Sequence, residues 1–429
     1  MYATVDAAPP PLEPRVGLDA DWVGLVHHVR RLKGRAFVHL WLPQGLVQIV
    51  WTGELPDGVR PGATIEARGP CVPAALRDPT LRWAGLEVQA TAIAVWSTPS
   101  EPMPVDLTKP ELVATAETRF DLRPLTLRHP RIRAVFTIQD ALVRGFRSYL
   151  SGSGFTEIHS PKIVAEGAEG GANVFELGYF GRRATLAQSP QFYKEFGTGV
   201  FGRVFEVGPV FRAEPHATSR HLAEYTSLDV ELGPIRSLDE VMAVEVGALG
   251  AMLDAVRRDC AHEVALLGIT LPALGPIPVI PFAAVKARTG DTDHDLSPSE
   301  EQAVSAWIRA ETGSDWVFVT GYPSSKRPFY AMDDPADPRS TVSFDLLFRG
   351  VEITTGGQRI HELPTLEAKL RRRGMDPAAF AFFTAAHRHG LPPHGGFGLG
   401  LERLTARLCG LDNVRDATLF PRDLHRLAP

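Results

Sequence analysis

Cysteine is scarce. Cys71, Cys260 and Cys409 are the only three in 429 residues, and no two are close enough to form a CxxC pair. That excludes a disulfide framework, argues against a zinc site, and suits a reducing compartment. Methionine is also rare, at six. No run is long and apolar enough to span a bilayer, so no membrane partner is expected. The N-terminus is Pro-rich with acidic residues and lacks the apolar core of a signal peptide, so a cytoplasmic location is expected. There is no large excess of either charge: the net value is −5. Composition alone therefore does not announce a nucleic-acid partner, although a local basic patch can bind one. With 44% hydrophobic and 22% charged residues, the chain reads as an ordinary globular protein of two or three domains.

The densest chemistry lies in FGRVFEVGPVFRAEPHATSRHLAEYTSLDVEL, Phe201 to Leu232. Val204–Phe211 and Tyr225–Val230 read as strands, rich in β-branched and aromatic residues. Arg212, Glu214, His216, Arg220, His221 and Glu224 crowd between them. Arg212 and Glu214, two apart at the end of a strand, share a face. Arg220-His221 is expected to return beside them on the second strand. Cations beside a carboxylate suit a nucleoside triphosphate and its metal.

FRAE, a polar loop and then RHLAEY resemble motif 2 of class II aminoacyl-tRNA synthetases, aspartyl/asparaginyl branch, in its compact archaeal-like form. The resemblance extends along nearly the whole chain. The implied fold is α+β: an N-terminal OB-fold β-barrel, then a catalytic domain built on an antiparallel sheet flanked by helices. The expected divisions are a disordered stretch at 1–15, the barrel at 16–100, a hinge or linker at 101–130, and the catalytic domain at 131–429.

Five strands are expected in the barrel: Trp22–Val29, Ala36–Leu42, Gly45–Trp51, Thr64–Gly69 and Leu86–Val95. Phe37 is expected in the core. Arg30, Arg31, Lys33 and Arg35 cluster at one turn, next to His27 and His28. Aromatic and basic groups on such a face suit unstacked bases. The resemblance implies an anticodon reader, with His27, Arg30, Arg31 and Lys33 as candidate contacts. His27 stands where some strict enzymes of this type carry Trp, which hints at relaxed tRNA choice.

Arg131–Leu150 has apolar residues at helical spacing, with a strand expected to follow as far as Pro161. This resembles motif 1, the dimer-forming element, so a homodimer is implied. Ala165–Phe175 is Gly-rich and resembles the family's flipping loop, with Glu169 contacting an ammonium group. Gln191 and Lys194, three apart, share a helix face. They resemble the amino-acid pocket, where Lys helps to neutralise the aspartate side chain. Asp291, Asp293, His294 and Asp295 read as a solvated loop rather than a metal site. Arg327, in KRPFY, is expected on the active-site wall.

Glu352 with Thr355 gives hard oxygens suited to Mg²⁺. Gly356-Gly357 is expected to let the backbone approach a ligand. Arg359 projects a fork that can grip a carboxylate. GGFGLGLERLTARL reads as a Gly-rich strand entering a helix and resembles motif 3. Arg403 would be its triphosphate-holding arginine.

The resemblance implies aspartate activation by ATP and transfer to tRNA(Asp), with tRNA(Asn) as a possible second acceptor. Arg212, Glu352 and Arg403 would be catalytic. Aspartate would meet Glu169, Gln191, Lys194, Arg212, Asp229, Thr355 and Arg359. ATP would meet Arg212, Glu214, Arg220, His221, Leu222, Tyr225, Glu352, Gly400, Leu401, Glu402 and Arg403. An asparaginyl enzyme is the nearest alternative, and a non-catalytic RNA-binding paralogue a more distant one. Lys194 beside Arg359 favours a carboxylate over an amide.

Overall fold

The computed structural model describes residues 13–165, 173–215 and 218–429. Most of the stretch expected to be disordered, and Glu169 with most of its loop, lie outside the described residues. The chain divides into one unit ending at Arg133 and a second spanning Ala134–Pro429.

The described residues of the first unit hold six strands: β1 (Asp19–Leu32), β2 (Arg35–Trp41), β3 (Leu46–Thr52), β4 (Thr64–Pro73), β5 (Leu86–Gln89) and β6 (Ala92–Ser97). Pairing runs β1-β2-β3-β5-β4, and β4 pairs again with β1. The expected fifth strand is two strands, because Ala90-Thr91 breaks the run: β5 lies between β3 and β4, whereas β6 pairs with a different stretch of β4. Ala36, Val38 and Leu40 alternate into the core with Trp22, Ile49 and Ile65. That alternation turns Phe37 outward. Its ring is half-buried on the opposite face, so the core assignment is corrected. On the same face, Arg30 pairs across the ladder with Phe37 and His28 with His39.

His27, a candidate tRNA contact, is buried. The β1–β2 register shifts between Val26 and His28. This bulge lets two successive residues bury. His27 is 7% exposed, with its ring edge-on to Trp41. Burial, reinforced by His39, His129 and His28, lowers its pKa to about 4. The imidazole is therefore neutral.

The described residues of the second unit contain eleven strands: β7 (Thr156–Glu157), β8 (Ile163–Val164), β9 (Glu176–Tyr179), β10 (Arg182–Leu186), β11 (Arg203–Phe211), β12 (Glu224–Leu232), β13 (Val279–Pro281), β14 (Trp316–Thr320), β15 (Ser343–Phe348), β16 (Val351–Gln358) and β17 (Gly395–Gly400). Eight of them form one sheet, in the order β13-β14-β15-β16-β17-β12-β11-β7. It is antiparallel except at its two ends. The strand expected to reach Pro161 is only Thr156–Glu157. Ser160 then bonds the Glu206 carboxylate instead of a strand.

Alternation separates core from site. Leu228, Val230, Phe397 and Leu399 face the helices Pro130–Gly152 and Leu238–Asp259, which supply Ile138, Leu142, Phe146, Leu249 and Met252. Ser227, Asp229 and Glu231 therefore face the other way. The intervening Gly396 and Gly398 make room for them: a Cβ at Gly396 would overlap Val230 O and the Glu231 carboxylate. Gly356, which lines the cleft, and Gly357 are also required by packing. A Cβ there would strike the Phe344 ring, or Val342 O and Ser343.

A bulge shapes β16. Leu346 pairs with Thr354 and Leu347 with Glu352, leaving Ile353 as an extra residue. Glu352 and Thr355, three apart, would otherwise point to opposite faces. The bulge brings them together, and the Thr355 hydroxyl donates to Glu352 Oε1 at 3.2 Å.

Beneath Thr354, the helix Leu238–Asp259 buries Glu245 completely. Burial raises its pKa from 4.5 to about 8, with Asp345 adding and Thr354 opposing. Between those values the folded chain holds a proton that the unfolded chain releases. Stability accordingly falls as pH rises through this window, by about 1.4 kcal/mol per unit. Glu245→Gln keeps the neutral shape. The variant's Tm advantage is expected to widen steadily from pH 5 to pH 8, and a constant gap in thermal melts would refute the assignment.

Candidate active site

The open face of β12, β16 and β17 floors a cleft of about 650 Å³. Apart from Glu169 and Leu401, every catalytic-unit residue singled out from the sequence lines it: Gln191, Lys194, Arg212, Glu214, Arg220, His221, Leu222, Tyr225, Asp229, Glu352, Thr355, Arg359, Gly400, Glu402 and Arg403. Leu401 is corrected. It opens the helix Leu401–Leu408 and packs into the hydrophobic core. Glu402 lines the cleft, but its carboxylate accepts the Thr226 N–H at 3.0 and 3.1 Å, bracing β12. Burial raises its pKa to about 7.

One end of the cleft is a buried ionic cluster. Lys194 Nζ reaches Asp229 Oδ1 at 3.0 Å, Glu231 Oε2 at 3.3 Å and Phe397 O at 3.1 Å. Arg359 Nε donates to Glu231 Oε1 at 3.0 Å, and Nη2 to Gly396 O at 3.0 Å. Burial opposes the charge on Glu231, but Arg359 and Lys194 outweigh it and lower its pKa. The two cations therefore already hold two carboxylates. The simple count of two positive charges awaiting a ligand is corrected to a balanced set. Glu231 was missed, although its spacing from Asp229 puts both on one strand face.

The other end carries Arg212, Arg220, His221 and Arg403. Strand β11 ends at Phe211 and β12 starts at Glu224, so Arg212, Glu214, Arg220 and His221 sit on the loop, not on the strands. They are paired with acids. His221 Nε2 lies 3.3 Å from Glu214 Oε2, and Arg212 Nη1 3.8 Å from Glu214 Oε1. Arg220 bonds Glu301, a residue from the helix Pro298–Thr312 that sequence reasoning missed. Arg403 Nη1 donates to Glu352 O at 3.2 Å and Oε1 at 3.3 Å. The Arg212 guanidinium lies 5.9 Å from the Tyr225 ring centroid.

Glu352 has carboxylate neighbours. Its N–H donates to Glu301 Oε2 at 2.8 Å. Burial and then the Glu352 charge raise the pKa of Glu301, with Arg220 opposing. Burial likewise raises Asp345, whose carboxylate bonds Arg327 at 2.8 Å; Arg327 opposes the rise and Glu352 adds to it. For Glu352 itself, burial is outweighed by Arg403, Arg327 and Arg212, and its pKa falls. Crowded hard oxygens with mutual repulsion fit a divalent cation. Among the described residues no group of three His, Cys, Asp or Glu forms a closed metal site.

The family described as tRNA synthetases class II (D, K and N) matches residues 115–424. The chain belongs to this family. Such a class II synthetase is an aminoacyl-tRNA ligase, and members of the class use ATP with a divalent metal. Aspartate–tRNA(Asp/Asn) ligase from Thermus thermophilus is 45% identical, covering 97% of this chain and 98% of its own. The protein of the same name from Deinococcus radiodurans is 44% identical, over 95% and 94%. The crystal structure of asparaginyl-tRNA synthetase from Pyrococcus horikoshii complexed with asparaginyl-adenylate superposes with a TM-score of 0.85 at 30% identity, over 96% and 97%. No helix among this synthetase's described residues is long and apolar enough to cross a membrane.

Proposed function

We propose that the chain joins L-aspartate to tRNA in two steps, using ATP and Mg²⁺. The α-carboxylate attacks the ATP α-phosphate, giving aspartyl-adenylate and diphosphate. The terminal ribose hydroxyl of the tRNA then takes the aspartyl group. Both steps depend on positioning and charge neutralisation.

The observation that carries this reading is the buried pairing of Arg359 with Glu231 and of Lys194 with Asp229 at one end of the cleft. Arg359 spends only two of its N–H groups on Glu231 and Gly396 O. The rest of the fork grips the substrate side-chain carboxylate. The substrate ammonium takes Asp229 and the Gln191 carbonyl oxygen. Lys194, released by Asp229, turns to the side chain.

Arg212 holds the α-phosphate with the reacting carboxylate. Arg220, His221 and Arg403 hold the outer phosphates, exchanging Glu301, Glu214 and Glu352 for them. Glu214 accepts from the adenine amino group, Tyr225 stacks on the ring, and Leu222, Gly400 and Glu402 complete its walls. Glu352 and Thr355 would hold Mg²⁺, which offsets phosphate charge when bound.

In the first unit, the strand ring β1-β2-β3-β5-β4 supports an OB-type barrel that reads the anticodon. Its outward Phe37, His28 and His39 offer stacking surfaces, and Arg30, Arg31 and Lys33 lie next to them. A homodimer follows from the resemblance of the helix Pro130–Gly152 and β7 to motif 1.

The test is diphosphate exchange into ATP without tRNA, comparing aspartate with asparagine. Exchange with aspartate alone is expected, because a neutral amide leaves the Arg359 fork unpaired. Exchange with asparagine alone would overturn the assignment. Charging of tRNA(Asp) and tRNA(Asn) then measures whether the second acceptor is used.

A further inference from the structure

Behind the Gln191 end of the cleft lie two charged residues to which the proposed reaction gives no role. Gln191 and Glu195 sit one turn apart on the helix Gln191–Phe201, and His394 arrives 199 residues later, just before β17. Glu195 and His394 are both 0% exposed and Gln191 is 3% exposed. Gln191 lines the cleft; the other two do not.

Their hydrogen bonds have one consistent reading. His394 Nδ1 lies 2.8 Å from Pro392 O, and a carbonyl only accepts, so Nδ1 carries a proton. His394 Nε2 lies 3.1 Å from Glu195 Oε2. Burial works against an imidazolium, but Glu195 and Glu231 outweigh it and raise the His394 pKa. Whichever of the two donates, the shared proton lies between Nε2 and Oε2, which leaves Oε1 as an acceptor. This second Glu195 oxygen accepts from Gln191 Nε2 at 2.7 Å. An oxygen without a proton cannot donate, so only the NH₂ end of the Gln191 amide can face it. The carbonyl end is left on the opposite side, toward the cleft.

We propose that Glu195 and His394 are positioning residues that fix the Gln191 amide with its oxygen toward the amino-acid substrate, as an acceptor for the ammonium. This rests on the aspartate reading of the cleft. A reversed amide would present N–H to N–H and lose the hydrogen bond. His394 holds Glu195, Glu195 holds Gln191, and Gln191 touches the substrate.

The experiment is diphosphate exchange with separate KM values for aspartate and ATP, alongside thermal melts. Glu195→Leu removes the acceptor and is expected to raise the aspartate KM by about 10-fold while ATP stays within about twofold. His394→Leu should follow it, whereas His394→Gln keeps a donor for Glu195 and should not. The double variant Gln191→Glu/Glu195→Gln reverses the pair. A carboxylate at 191 shows an oxygen whichever way it turns, so the aspartate KM should return toward the parent value. If Glu195→Leu does not fold, the His394 pair decides. Unchanged aspartate KM in the Leu variants, ATP KM rising in step, or a double variant no better than Glu195→Leu would overturn the proposal. Exchange by the unaltered chain is measured beside them. Its absence with aspartate would overturn the aspartate reading itself, whereas normal parent exchange with unaffected variants would overturn only the positioning.

Discussion

Arg359→Ala is expected to abolish aspartate-dependent exchange and to destabilise the catalytic unit by about 3–5 kcal/mol. Two separate effects lie behind this. The guanidinium is 6% exposed and is a principal partner of a fully buried Glu231. Taking it away leaves that carboxylate to Lys194 alone, inside a low-dielectric core. Breaking a buried pair costs far more than the pair contributes, because the remaining charge has lost its water and its partner. For a unit of this size the loss reads as a Tm drop of roughly 10 °C. The second effect is on the ligand, since the fork that would take the side-chain carboxylate is gone. Arg359→Lys separates the two. It keeps a cation near Glu231 but cannot make two parallel hydrogen bonds. Most of the stability should return, while the aspartate KM stays raised by about 100-fold. A lysine variant with parental aspartate KM would show that Arg359 is a strut for Glu231 and nothing more.

Much of this site was legible because strand periodicity carries it. Asp229 sits among the apolar residues of one strand, and the alternation that turns Leu228 and Val230 toward the helices must turn Asp229 toward the cleft face. The same rule, applied two residues further on, finds Glu231. The Gly-rich strand into a helix at Gly395–Leu408 was likewise readable from local signals. What escaped were partners brought in by tertiary packing. Glu301 lies 81 residues from Arg220. His394 and Glu195 meet only because one residue precedes β17 and the other lies on the helix Gln191–Phe201, which packs against the neighbouring strands β11 and β12. No local pattern distinguishes either from a surface residue.

The first unit failed differently. Phe37 was misplaced because the unbroken alternation of Ala36, Val38 and Leu40 turns it outward. The burial of His27 was not readable, because a bulge buries two successive residues there. The bulge at Ile353 has the opposite consequence for inference. Glu352 and Thr355 were paired by their oxygen chemistry and closeness in sequence, and strand alternation alone would have denied the pairing. The extra residue reconciles the two.

Arg403→Ala should behave as the mirror image of Arg359→Ala, with activity lost and stability kept. The Arg403 side chain is 29% exposed, and its partner Glu352 is 33% exposed. A pair that open to water contributes about 0–1 kcal/mol, so the Tm should move little. Exchange should nevertheless fall by about 10³-fold, as expected when a preorganised cation facing developing phosphate charge is removed. Arg212→Ala should match it, because Arg212 approaches the same cleft from the motif 2 loop and also helps to lower the Glu352 pKa. The acids explain why these cations stay in place before ATP binds. Glu352 holds Arg403 and Glu301 holds Arg220, so each of these cations is oriented by a carboxylate that a phosphate can replace, and Glu214 orients the His221 ring. A cation held in this way needs little reorganisation when the charge on the phosphates shifts. Rapid-quench measurement of aspartyl-adenylate formation, at saturating aspartate and ATP, is the deciding assay. Near-parental single-turnover rates in Arg403→Ala would remove it from the phosphate site and leave it as an exposed partner of Glu352.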